Sequence, residues 1–269
     1  PELKQMLASE MNLPITAFVS KSSKADFKVE FFSPKKQVPI SGHATIATFW
    51  LLAELGKIKS EKDIAKVTQE TLLGNFPVEI FWKNGKLDKV LMTQSKPTFN
   101  LVDINKQKLA DMLGIRIEKI ESNEELPLIA ASTGSAKLLV LISSKEMTDA
   151  LVPNYDDIER LCRRLNISGI HLYTFDTYNE GSTCYTRQFE PYRGVPEAPI
   201  SGMANGALGA FLVVRGFAPP GTLFIEQGES LERAGKIEVK IDMADDKVKS
   251  VKVGGKATTV FEITFKGKI

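Results

Sequence analysis

Pro39-Ile40-Ser41-Gly42-His43-Ala44 returns 160 residues later as Pro199-Ile200-Ser201-Gly202-Met203-Ala204. A six-residue near-match could arise by chance, but the flanks agree as well. Upstream, Phe31-Phe32-Ser33-Pro34 corresponds to Gln188-Phe189-Glu190-Pro191. Downstream, each apolar stretch closes on a glycine, Gly56 or Gly216, and a segment carrying Gln69 or Gln227 follows. Agreement on both sides reads as an internal duplication, which has to be sought before a fold is argued.

In the first copy, Ala44, Ile46, Ala47, Phe49, Trp50, Leu51, Leu52, Ala53 and Leu55 cover most of a helical circumference. A helix apolar on nearly all sides is expected inside a fold, and this one is too short for a membrane span. Its polar residues, Ser41, Gly42, His43 and Thr45, gather at the N-terminal end, where unbonded backbone N–H groups favour an anion. Strands are nearly all the chain offers to surround such a helix. The expected architecture is α+β, with two pseudo-symmetric halves, each a mixed β-sheet or barrel wrapped around a central helix. The first half is expected over residues 1–97 and the second over 98–257, bringing the two helix starts to a shared cleft, a usual place for a small ligand. A last strand is read at Thr258–Phe265.

Composition narrows the function classes. Apolar residues make up 43% and charged residues 25%, the profile of an ordinary globular protein. Lys plus Arg number 35 against 33 Asp plus Glu, without a basic stripe, which speaks against nucleic acid. No signal peptide, transmembrane run or lipidation motif is present, so no membrane partner is expected and a cytoplasmic location is. Cys162 and Cys184 are too few for a disulfide scaffold. No Cys, His and carboxylate cluster has metal-ligand spacing, and no metal is expected. The chain opens at Pro1 with Glu2-Leu3-Lys4-Gln5-Met6-Leu7 already in helical rhythm, from which a preceding segment is expected.

Periodicity places a helix over residues 2–11 and strands at Thr16–Val19 and Phe27–Phe32. Strands follow at Lys66–Thr71, Phe76–Trp82 and Lys89–Thr93, with Asn84-Gly85 a hairpin turn. Leu101–Leu113 and Tyr155–Leu165 read as helices. Leu128–Ser132, Ala136–Ile142, Ile170–Phe175, Thr183–Phe189, Leu223–Gln227, Lys236–Ile241 and Val248–Val253 read as strands.

Ser-Gly-His-Ala-Thr before an apolar helix, Phe-x-Pro upstream, and a second Pro-x-x-Gly-x-Ala-x-Gly block together resemble the phenazine-biosynthesis PhzF-like family. Glu10-Met11-Asn12-Leu13, Thr16-Ala17-Phe18-Val19, Ser132-Thr133-Gly134 and Gly194-Val195-Pro196-Glu197 extend the resemblance over nearly the whole chain. The resemblance implies the diaminopimelate epimerase-like fold and a cofactor-independent isomerase that moves a proton on a small cyclic amino- or hydroxy-carboxylate. It also implies a homodimer, and that residues 258–269 cross back to complete the first half.

The departures from the family pattern carry most of the information. Where the family places its acid/base Glu, this chain has Ile15; where it places an Asp and a small polar Ser, this chain has Ala198 and Met203. None of the three can hold and release a proton near neutral pH. His43 can, its unperturbed pKa lying near ~6.5, although a structural histidine beside the helix is an equal reading. Glu10, the nearest remaining carboxylate to the altered motif, reads as solvated or as a local partner on the first helix; Glu197 reads as lying on a surface turn, with substitution for the missing Asp as the alternative. The related racemases use a Cys at each helix start; here Ser41 and Ser201 stand there, and an unactivated hydroxyl does not exchange an α-proton. Both serines read either as hydrogen-bond donors to a carboxylate or as plain helix caps.

Two readings therefore stand. In one, the protein is an isomerase with His43 catalytic and Ser41, Gly42, Ala44, Ser201, Gly202 and Met203 binding a small-molecule carboxylate. In the other, it is a binding or structural homologue that keeps the fold and the anion pocket without the acid/base.

Overall fold

In the computed structural model, which describes residues 2–60, 62–193 and 195–264, the chain forms two compact units. The first runs to Met92 and takes in the residues from Gly254 onward; the second is Thr93–Val253.

The first unit contains α1 (Glu2–Met11), β1 (Thr16–Ser20), β2 (Phe27–Phe32), β3 (Gln37–Val38), α2 (Gly42–Glu54), β4 (Ile64–Thr71), β5 (Gly74–Lys83) and β6 (Lys86–Thr93). Its strands run in the order β1-β2-β4-β5-β6, with β3 added to β2. The β2–β4 pair is parallel and the β1–β2, β2–β3, β4–β5 and β5–β6 pairs are antiparallel, so the sheet is mixed. Asn84 and Gly85 take φ of 51° and 73°, the left-handed pair that a tight β5–β6 hairpin demands. Val29, Phe31, Val78, Ile80 and Val90 form the core with Phe49 and Trp50 of α2.

Enclosure of α2 is only partial. Ala44–Ile46 and Thr48–Trp50 are buried, but His43, Ala47, Leu51 and Leu55 fall at i, i+4, i+8 and i+12 and stay exposed. The expectation of a helix covered on all sides fails here because the sheet packs against one side of α2 and leaves this stripe open. The strand expected at Thr258–Phe265 also fails to form. Residues 256–264 carry no regular structure, Val260, Phe261 and Ile263 are exposed, and Phe265 lies outside the described residues. The segment is held to this unit instead by Ala257 against the core and by the Thr259 hydroxyl donating to Glu54 at 2.9 Å.

The second unit contains β7 (Thr98–Leu101), α3 (Lys106–Leu113), β8 (Ile120–Glu121), β9 (Ile129–Ser132), β10 (Lys137–Ile142), α4 (Lys145–Asp149), α5 (Tyr155–Leu165), β11 (Gly169–Thr174), β12 (Cys184–Glu190), β13 (Val195–Ala198), α6 (Gly202–Val214), β14 (Gly221–Gln227), β15 (Gly235–Ala244) and β16 (Lys247–Gly255). The sheet order is β16-β15-β14-β12-β11-β10-β9-β7, parallel at β12–β14 and β10–β11. Every residue of β10 is buried, as in a strand covered on both faces. Leu139 and Leu141 join the core around α6, while Leu138, Val140 and Ile142 join the core under α3 and α5. Unlike α2, α6 is buried at every residue from Ala204 to Val213.

The helix expected over Leu101–Leu113 starts later, at Lys106. Asn105 accepts a hydrogen bond from the Lys108 amide at 3.0 Å and so fixes the helix start, leaving Thr98–Leu101 to pair with β9.

Candidate functional site

Each apolar helix begins at the repeated Ser-Gly, and the two starts differ in one decisive respect. Both serines have extended backbone, Ser41 with φ −142° and Ser201 with φ −136°. The Ser201 hydroxyl accepts from the Ala204 amide at 3.4 Å and caps α6. Ser41 makes no such bond among the described residues; its buried hydroxyl lies 3.5 Å from His43 Nδ1. The cap reading thus holds for Ser201 and fails for Ser41. At α2, the first-turn N–H groups, which no helix satisfies internally, therefore keep an acceptor site open next to a hydroxyl and an imidazole.

His43 keeps an open edge to solvent, yet burial of the ring draws its pKa below the ordinary 6.5. It is neutral at pH 7 and able to accept a proton. Ala44 is buried behind it. Ile15 packs part-buried against the core around α2, and Glu10 is exposed on α1.

A buried polar network holds the turn into α6. Asn205 Nδ2 donates to Gln227 Oε1 at 2.7 Å and to the Ser201 carbonyl at 2.9 Å. Gln227 Oε1 also accepts from the Ser201 amide, and Gln227 Nε2 donates to the Ala198 carbonyl at 2.8 Å. His171 Nε2 lies 3.1 Å from Asn205 Oδ1; because the Asn205 amine is already donating, this nitrogen carries the proton. Burial pushes His171 down to about 3, so it is a neutral structural group. In the first unit the matching contact is between Thr45 and Gln69: the Thr45 hydroxyl donates to Gln69 Oε1 and accepts from Gln69 Nε2, each at 3.3 Å. Asn205 and His171 were not singled out by the sequence as partners; only the recurrence of Gln69 and Gln227 after each helix hinted at them.

The pleat settles what Glu197 does. Gln188 and Ala198 are cross-strand partners, as are Phe189 and Glu197. Phe189 belongs to the core under α3 and α5, so Glu197 lies on that face and Ala198 on the α6 face. Glu197 is not on a surface turn; it forms a buried bidentate pair with Arg187. Gly194, just before this strand, lies outside the described residues.

Met203 is half-buried, its carbonyl accepting from the Thr133 hydroxyl at 3.0 Å and its sulfur packing beside Gly134. Cys162 and Cys184 are both buried free thiols away from either helix start, and burial pushes Cys162 up to about 11 and Cys184 higher still. Among the described residues no three His, Cys, Asp or Glu side chains converge as a metal site. A groove of about 420 Å³ between α3 and α5 is lined by Lys108, Asp157, Arg160 and Arg164. It lies across the sheet from α6 and shares nothing with the helix starts. No helix among the described residues is long and apolar enough to cross a membrane.

Residues 2–263 match the family model of phenazine biosynthesis-like proteins, PhzC-PhzF. The chain belongs to this family. It is 32% identical over 246 residues to an uncharacterized isomerase, YfhB, of Bacillus subtilis, covering 91% of this chain and 82% of the relative. It is 25% identical over 263 residues to the trans-2,3-dihydro-3-hydroxyanthranilate isomerase of Pseudomonas aeruginosa, covering 97% and 87%. The crystal structure of a PhzF-family phenazine biosynthesis protein from Bacillus anthracis superimposes with a TM-score of 0.83 at 26% identity, over 94% of this chain and 85% of that one. The fold of this PhzF-family chain is accordingly the mixed α+β, diaminopimelate epimerase-like one.

Proposed function

We propose that the protein is a cofactor-independent isomerase that relocates a proton on a small amino- or hydroxy-carboxylate. The N-termini of the two repeated helices hold the carboxylate, and His43 moves the proton. The observation that carries this reading is the uncapped start of α2. Ser41 leaves the first-turn N–H groups to an external acceptor and sets its hydroxyl beside a neutral imidazole. Gly42 and Ala44 complete the first turn, and Ser201, Gly202 and Met203 are read as the matching contacts at α6. The like placement of Thr45–Gln69 and Asn205–Gln227 supports reading the two starts as copies of one duplicated unit.

One proton-transfer group suffices for a shift in which a proton leaves one carbon and returns to another on the same face. Inversion at a carbon needs groups on opposite faces, and Ile15, Ala198 and Met203 supply none. The reading is therefore an isomerase rather than a racemase. The Pseudomonas aeruginosa relative, a trans-2,3-dihydro-3-hydroxyanthranilate isomerase, makes a cyclic amino-carboxylate the first substrate class to test.

A second reading, a carboxylate-binding homologue without catalysis, is favoured by the same three apolar side chains. Hydrogen exchange in deuterated water separates the two. Cyclic amino-carboxylates are incubated with wild type, His43→Ala and Ile15→Glu, and carbon-bound deuterium is read by mass spectrometry. Exchange by wild type that His43→Ala abolishes supports the isomerase. Exchange by Ile15→Glu alone identifies a binding protein whose site has lost its acid.

A further inference from the structure

Gln94 follows β6 directly, with its backbone N–H donating to the Val251 carbonyl at 2.9 Å. Its residue surface is 93% buried, yet neither Nε2 nor Oε1 has a hydrogen-bond partner among the described residues. An amide taken out of water with both ends unpaired is costly, and folded proteins rarely keep one without a use. The amide lies flat on the first turns of α6. A Cβ at Gly206 would sit 2.1 Å from Oε1, and one at Gly202 would sit 3.9 Å from Nε2. Oε1 thus faces the body of the helix, and Nε2 is aimed toward its N-terminal end. Gly206 makes this possible, because any side chain there would push the amide off the helix.

We propose that Gln94 is a ligand-binding residue: Nε2 donates to the carboxylate of a small amino- or hydroxy-carboxylate seated at the N-terminus of α6. The assignment rests on the carboxylate reading above and adds a contact from outside the repeated motif. Ser201 already occupies the Ala204 amide, so the N–H groups of Gly202 and Met203 are the ones left to an anion. Nε2 supplies a further donor on the same side. Thr133 and Gly134 pack on Met203 at the same helix start. Nothing here needs a charged side chain: backbone N–H groups and one neutral amide bind the anion without introducing a competing proton donor.

The test uses the full chain with 3-hydroxyanthranilate and trans-4-hydroxy-L-proline as probes, with binding measured by calorimetry and stability by thermal melting. Gln94→Met keeps length and volume and removes both polar atoms; Gln94→Glu keeps an acceptor and removes the donor. The expected result is binding weaker by about tenfold or more in Gln94→Met, and weaker still in Gln94→Glu, with the Gln94→Met Tm held or raised. Equal probe affinity in wild type and Gln94→Met overturns the Gln94 assignment while leaving the carboxylate reading standing. A fall in the Gln94→Met Tm also overturns it, since the amide would then have a structural partner. If wild type binds neither probe, the carboxylate reading fails and the Gln94 assignment falls with it.

Discussion

Arg187 and Glu197 meet side by side, Nε donating to Oε1 and Nη2 to Oε2 at 2.8 Å each, with both side chains 7% exposed. Glu197 is thereby committed to the face of the sheet away from α6, and the Ser230 hydroxyl adds a third bond to its Oε1. Removing one partner of such a pair strands a buried charge. Glu197→Ala should cost about 3–5 kcal/mol of stability, read as a shift in the urea midpoint. At temperatures where both are folded, Glu197→Gln should exchange deuterium at the wild-type rate, because this carboxylate does not face the site. A lost exchange rate in folded Glu197→Gln would contradict the placement.

The two repeated serines should respond differently to the same change. Ser201→Ala removes a cap and should cost about 1 kcal/mol. Ser41→Ala removes no cap and should cost less than about 0.5 kcal/mol, while weakening carboxylate binding. Urea titration of both variants, paired with calorimetry on one carboxylate, checks the contrast. Equal stability losses would mean that Ser41 caps α2 after all.

How much of this could be read from the chain itself depends on whether the governing contact was local. The Ser-Gly starts, the Asn84-Gly85 hairpin and the Tyr155–Leu165 helix were legible because turn and helix chemistry resides in neighbouring residues. The α3 start was misplaced because Val102 and Ile104 continue an apolar rhythm that the Asn105 cap interrupts. Glu197 was misjudged because one residue of strand phase decides which face a side chain takes, and that phase is fixed by pairing with Phe189. The open stripe on α2 was invisible for a related reason: Ala47 and Leu51 are apolar whether or not anything covers them. Gln94 carried no signal, since its meaning comes wholly from Gly202 and Gly206, more than a hundred residues away.

The networks behind the two helix starts should differ in strength. Asn205→Leu strands the buried His171 Nε2–H and takes one bond each from Gln227 Oε1 and the Ser201 carbonyl, which keep the Ser201 amide and the residue-205 amide. A loss of about 3 kcal/mol is expected from one stranded donor and two lost bonds. Thr45→Val removes two long 3.3 Å contacts with the Gln69 amide and should cost about 1 kcal/mol. Hydrogen exchange of the first-turn amides of α6 should rise in Asn205→Leu beyond what global destabilisation accounts for. If the two variants lose equal stability, the polar network does not brace α6.

Acid should destabilise the protein well before its carboxylates titrate. Both histidines of the chain have folded-state pKa values below 6.5, His171 at about 3 and His43 shifted in the same direction, each through burial. Between those values and 6.5 the unfolded chain binds protons that the folded one refuses, so stability falls as pH falls. For His171 the loss runs at about 1.4 kcal/mol per pH unit, or about 2 kcal/mol by pH 5. Glu226 contributes only lower down. Burial opposes its charge, but donors from Ser182, Tyr178 and Asn179 outweigh that and hold its pKa below 4.5, so its contribution is lost below that pH. Glu229, raised by burial, acts in the opposite sense above 4.5. The window from pH 6.5 to 5 therefore belongs chiefly to the histidines. Urea midpoints followed from pH 7 to 5 should slope downward in wild type, less in His43→Ala, and least in His171→Gln, whatever that variant's stability at pH 7. A His171→Gln slope equal to that of wild type would show that His171 takes up its proton in the folded state and that its bond to Asn205 does not depend on a neutral ring.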